Sequence, residues 1–221
     1  MEIMKDSLVL RLRSLSDRTI DRILFGCGLF LTACEIYKQL FLYFIVNHGQ
    51  YDWWFFPFQL CSLPMYLCLA VPLIRQKRTK TVIYTFMQDF SLLGGLAALI
   101  VSEGFCHIHW SLTLHGYVWH LLLVMTGLLL GLSGRTDLSP GGFLATLPVF
   151  VLVCLIATLI NVLAPGHGQA DMFYISPYHP STQFFFHEFA MHAGILPAHL
   201  LYLACICVGA YVIHRIFAGC R

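Results

Sequence analysis

An all-α, polytopic membrane bundle is the fold class this sequence predicts, and three observations predict it. Of 221 residues, 58% are hydrophobic and only 11% are charged, against roughly 25% charged in a soluble domain. Six windows reach the length of about 20 apolar residues that a spanning helix needs. The 13 Lys and Arg residues fall so that six crossings leave all but one on the same side.

Taken in order, residues 1–22 form a basic N-terminal segment. Stretch 8–22 reads either as an amphipathic helix on the inner membrane surface or as a plain polar tail. The first apolar segment is too long for a signal-peptide core and lacks a small-residue cleavage site, so it reads as a retained span. The expected spans are 23–46, 53–74, 81–102, 109–134, 141–165 and 192–218. They make one transmembrane domain, 23–218, with no soluble domain, no repeat and no long linker. Lys5, Arg11, Arg13, Arg18 and Arg22 precede the first span. Arg75, Lys77, Arg78 and Lys80 fill the second-to-third loop, and Arg135 lies between the fourth and fifth spans. Arg215 and Arg221 close the chain, and the remaining basic residue is Lys38. The positive-inside rule then puts both termini inside a cell inner (plasma) membrane, and one span more or fewer breaks it.

Cysteine and charge exclude other classes. Cys34, Cys61, Cys68, Cys154, Cys205 and Cys207 lie in spans, and only Cys106 lies in an outer loop, so no disulfide framework is expected. A net charge of +2 implies no nucleic-acid partner. Membrane phospholipids are the expected surroundings, and anionic lipid accounts for the basic loops.

Polar residues inside spans carry the functional expectations. At about 1.5 Å per residue, Lys38 lies roughly 12 Å below the outer end of its helix, Gln59 and His115 roughly 9 Å, and Asn161 roughly 6 Å. Cys61 sits just beneath Gln59, and Glu35 and Asp89 are near the midplane. Four helices thus place polar groups in one slab. It reads either as an outward-facing polar cavity or as interhelical hydrogen bonding. Glu35 and Lys38, spaced (i, i+3), form a self-satisfied bridge or hold a polar head group.

Three further motifs bear on chemistry. In "FFFHEFAMHAGILPAH", Glu188, His192 and His199 share a helix face within about 40°. A metal site, proton carriers and packing are the open readings; the five-residue His spacing is not that of a zincin, and neither metal nor cofactor is expected. His115 is favoured over His120 to face the cavity, because Gly116 gives close approach. Cys61, in a span bent by Pro57 and Pro64, reads as a nucleophile with His115 as base or as a small buried hydrophobe. The aromatic loop 166–191 is expected to cap the cavity.

Several of these motifs together resemble the YwaF-type bacterial integral membrane proteins. "EIYKQLF" resembles that group's Glu-containing first motif, and "FPFQLCSLPMYL" its Leu-Pro-x-His-Leu-Cys-Ser/Asp pattern. "LHGYVWHLLLV" resembles its Ala-His-Gly motif. "LINVLAPGHGQADMFYISPYHP" resembles its Val-Asn segment and the Asn-Tyr-Met motif that follows. Gln59, Asp171 and His179 stand where that group usually has His, Asn and Lys. The group is distantly similar to a eukaryotic membrane acyltransferase that builds ether phospholipids through a cysteine thioester. The resemblance therefore implies a lipid or acyl substrate. The pattern Pro-Cys-His sets the family's cysteine nearer Phe58, on the helix face expected to carry Cys61.

The functional expectation is a lipid-modifying, acyltransferase-like enzyme. Cys61 and His115 would be catalytic, with Glu35, Lys38, Gln59, Asn161 and His192 toward the substrate. A small-molecule or ion transporter, or a structural or sensor subunit, are the alternatives. The absence of an inverted repeat or paired broken helices speaks against transport.

Overall fold

The computed structural model describes residues 9–164, 166 and 169–219; Lys5, Pro165 and Arg221 lie outside them. Among the described residues, all regular structure is helical. Residues 9–14 are helical and bend at Leu15. Helix α1 (Asp17–Phe41) then starts under a Ser16 cap, whose hydroxyl accepts the Thr19 N–H at 3.1 Å. Asp17 in its first turn faces the positive helix end. The helix runs on through a wide π turn, Leu42–Val46.

Among the described residues, five helical stretches are long and apolar enough to cross a membrane: Asp17–Val46, Lys77–Ile100, Trp110–Leu132, Pro140–Leu163 and Ile195–Gly219. The second expected span differs. Region 53–74 yields a short apolar helix, Leu60–Leu73, whose central part is α2 (Leu63–Ala70). Its rise covers about 21 Å, against a hydrocarbon core of about 30 Å. Pro57 is the cause: it lacks an N–H and forces Phe56 into an extended conformation (ψ 133°).

The stretch Lys77–Ile100 contains α3 (Lys77–Phe86), a π turn (Met87–Ser91) and α4 (Leu92–Ile100). Helices α5 (Trp110–Leu132) and α6 (Pro140–Leu163) follow. The last expected span divides at Gly194, whose φ of +94° only glycine adopts readily. It separates α7 (Phe184–Ala193) from α8 (Ile195–Gly219).

Ion pairs tie one end of the bundle. Lys80 Nζ meets Asp21 Oδ2 at 2.7 Å, and Tyr84 donates to Asp21 Oδ1 at 2.5 Å. Arg135 Nε pairs with Asp17 Oδ1 at 2.9 Å, and Arg135 Nη2 donates to the Leu15 carbonyl. The starts of α1 and α3 and the α5–α6 loop therefore share this basic end. The chain must return from the far end, where α1 finishes, through residues 47–76.

Stacked Phe86, Phe90 and Phe150 form part of the core, with ring centroids 4.7 and 4.8 Å apart. Asp89 is fully buried. Its Oδ2 lies 2.8 Å from His214 Nδ1, and its Oδ1 accepts from Gln88 at 2.8 Å. His214 Nε2 donates to the Ser139 carbonyl at 3.1 Å. This tie joins the π turn between α3 and α4, α8 and the start of α6.

Candidate functional site

At the far end, loop residues 170–173, 175 and 176 are buried, and Ala170, Met172, Phe173 and Ile175 belong to the main hydrophobic core. This strap is held by two side-chain amides. Gln59 donates to the Asp171 carbonyl at 2.8 Å and accepts the Phe173 N–H at 2.7 Å. Asn161, fully buried on α6, donates to the Met172 carbonyl at 3.0 Å and accepts its N–H at 2.6 Å. Two residues expected to face substrate thus spend their amide groups on loop backbone. A buried peptide group needs such partners, since the strap forms no regular ladder.

Cys61 sits in the 3-10 turn Leu60–Ser62 that leads into α2. Its carbonyl accepts the Trp119 indole N–H at 2.9 Å. The Cys61 and Cys34 side chains pack on one cluster with Leu31, Met65, Trp119 and Leu123. Phe58 goes elsewhere. The backbone is extended at Gln59 (ψ 165°), so Phe58 packs on Phe173 and Tyr66 and shares no helix face with Cys61.

His115, on α5, stacks against Trp119 with centroids 5.4 Å apart. Its Nε2 is buried and has no hydrogen-bond partner. The Lys38 charge acts on both Cys61 and His115. Lys38 is itself bound to Glu35 Oε1 at 2.9 Å. Gln39 donates to the same oxygen at 2.7 Å and to the Phe55 carbonyl at 2.7 Å, linking the ion pair to the loop after α1. Cys61 and His115 therefore meet at Trp119, a residue with no signal in the sequence beyond its aromaticity, while the Glu35–Lys38 pair lies on α1.

His120 is a satisfied core residue: it bonds the Gly116 carbonyl at 2.8 Å and stacks on Phe105. The room at Gly116 serves Phe105, whose ring a Cβ there would strike. His115 gains no close approach from it.

His192 does not join the cluster. It is exposed on α7, with Nδ1 2.9 Å from the Glu188 carbonyl of its own helix. The Gly194 break puts His199 on a different helix, so Glu188, His192 and His199 lose their shared face. Among the described residues, no group of three or more His, Cys, Asp and Glu side chains is placed to hold a metal ion.

Asp171 joins the site as a residue that spacing gave no reason to single out. It is 1% exposed, accepts the Ser176 N–H on Oδ1 at 2.9 Å and leaves Oδ2 unpartnered. Burial raises its pKa, opposed by the Ser176 bond and by His179. Nearby Tyr174 is pushed up to about 12, again mainly by burial.

A model of the TMEM164 family matches residues 7–211. No curated protein and no solved structure matches the chain.

Proposed function

The chain belongs to the TMEM164 family of transmembrane proteins, and from that premise we propose that it is a lipid-modifying enzyme transferring acyl groups through Cys61. It is a multi-pass membrane protein; we take its basic end to face the cytoplasm, in an inner (plasma) membrane. The likeness of its motifs to the YwaF-type proteins supports treating that group as related.

One observation carries the reading. A buried imidazole nitrogen without a partner, His115 Nε2, lies beside the tryptophan that holds the Cys61 backbone. An unpaired buried nitrogen is costly as structure alone, and catalytic hydrogen bonds often tighten only around substrate. His115 takes the Cys61 thiol proton as sulfur attacks a lipid ester. The ester C–O bond breaks, a thioester forms, and the proton passes to the leaving alkoxide. An acceptor hydroxyl then gives its proton to His115 and attacks the thioester. The C–S bond breaks and the thiolate recovers the proton. Lys38 supports the thiolate electrostatically, as a nearby cation does, while Glu35 and Gln39 fix its position. Gln59 and Asn161 shape the site by holding the strap.

The test is a thiol-directed acyl probe with the adduct located by mass spectrometry. The parent should carry a hydroxylamine-labile acyl group on Cys61. His115→Ala should slow its formation about a hundredfold, within the range of general-base effects. Equal labelling of the parent and Cys61→Ala would end the proposal. The transport alternative needs a polar path through Asp89, whose two carboxylate oxygens are both hydrogen-bonded within the core.

A further inference from the structure

The turn that carries Cys61 lacks one donor of its own. Bonds in a 3-10 turn run from residue i+3 back to residue i, as the Ser62 N–H does to the Gln59 carbonyl at 2.8 Å. The Cys61 carbonyl would be served in the same way from position 64, but Pro64 has no N–H. The donor comes from another helix instead. Trp119, on α5, gives its indole N–H to that carbonyl at 2.9 Å.

The same side chain meets the other half of the site. Its ring stacks on His115, one turn earlier on α5, with centroids 5.4 Å apart. Trp119 therefore touches both the segment that bears the thiol and the imidazole. It is 4% exposed and packs with Leu31 of α1, Met65 of α2 and Leu123 of its own helix. Those three are buried as well, so the indole has little room to turn, and a close-packed interior transmits its position to both neighbours. The hydrogen bond is made to the Cys61 backbone and does not engage the sulfur.

We propose that Trp119 is the positioning residue of the acyl-transfer centre: its indole sets the register of Cys61 against His115 across the contact between α5 and the turn before α2. This role rests on the acyl-transfer reading of Cys61. A merely structural tryptophan would only satisfy a buried carbonyl, and the two roles differ in what they predict.

The full chain in nanodiscs is given an alkyne-tagged phosphatidylcholine, and the hydroxylamine-labile adduct on Cys61 is timed as a function of pH. Trp119→Phe keeps an aromatic ring against His115 and removes the N–H. It should slow adduct formation about thirtyfold, within the hundredfold that a misplacement of about 1 Å costs. Its pH profile should lose the imidazole inflection and match that of His115→Ala. Trp119→Phe/His115→Ala should be no slower than His115→Ala alone, because residues that act as a unit do not add. Pro64→Ala returns a backbone donor to position 64. In Trp119→Phe/Pro64→Ala the melting temperature should recover toward the parent while the slow rate persists. Recovery of the rate together with the melting temperature overturns the proposal, because any donor to the carbonyl would then serve. So does a parental rate in Trp119→Phe, or a double variant in which the two losses multiply. A parent that forms no Cys61 adduct ends the acyl-transfer reading itself and this role with it, so the two failures are told apart.

Discussion

Asp171 shows what a single residue can add to a site. Its carboxylate is buried in the strap, with one oxygen on the Ser176 N–H and the other unpartnered. Burial disfavours the ionised form, so its folded-state pKa is raised. For a carboxyl raised on folding, the stability contribution is present below the unfolded pKa and lost as pH rises through the folded pKa. Asp171→Asn keeps the oxygen that Ser176 needs and removes the charge. The expected outcome is a higher melting temperature than the parent at pH 7.5, with the difference shrinking toward pH 4, in thermal melts of detergent-solubilised protein. At this scale the sequence was legible in part. An ionisable residue in hydrocarbon stands out by its chemistry, and Cys61 and His115 both pack against Trp119. Asp171 lies in a connecting loop, where a carboxylate is unremarkable until the loop is found buried.

The strap is the element that most changes the picture of the far end. Phe173 and Tyr174 have φ of 60° and 57°, a left-handed conformation that costs non-glycine residues of order 1–3 kcal/mol each. Four hydrogen bonds from Gln59 and Asn161 hold the segment in place. Asn161→Ala removes both partners of the Met172 peptide and leaves two buried backbone groups unsatisfied, at about 1–3 kcal/mol each. Hydrogen exchange of the peptide covering 170–176 should therefore speed up markedly in that variant, while exchange in the α3 segment at the basic end stays as in the parent. Equal loss of protection in both regions would mean global unfolding rather than release of the strap. Long apolar runs made α1, α3–α4, α5, α6 and α8 readable at this scale. The broken second segment and the Gly194 break were less so. Window hydropathy counts apolar side chains, whereas Pro57 and Gly194 act on backbone geometry.

Over the whole molecule, the ion pairs of Asp17, Asp21, Lys80 and Arg135 gather the basic segments at one end. Exposed Cys106 lies in the loop between α4 and α5, which joins helix ends away from those pairs. A membrane-impermeant maleimide should label Cys106 in intact cells. A cysteine placed at Gln76, in the basic loop, should react only after permeabilisation. Labelling of both sites in intact cells would refute the assigned topology. The sequence by itself determined the membrane class, the helical bundle and the gathering of basic residues at one end. All three follow from composition and from period, which are additive along the chain. Only the tertiary structure decided that Gln59 and Asn161 serve the strap, that Asp89 is closed by His214, and that His192 stands apart. Those outcomes depend on which side chains meet across helices, and a hydrogen bond between residues more than a hundred positions apart, such as that of Gln59 and Phe173, leaves no trace in local pattern.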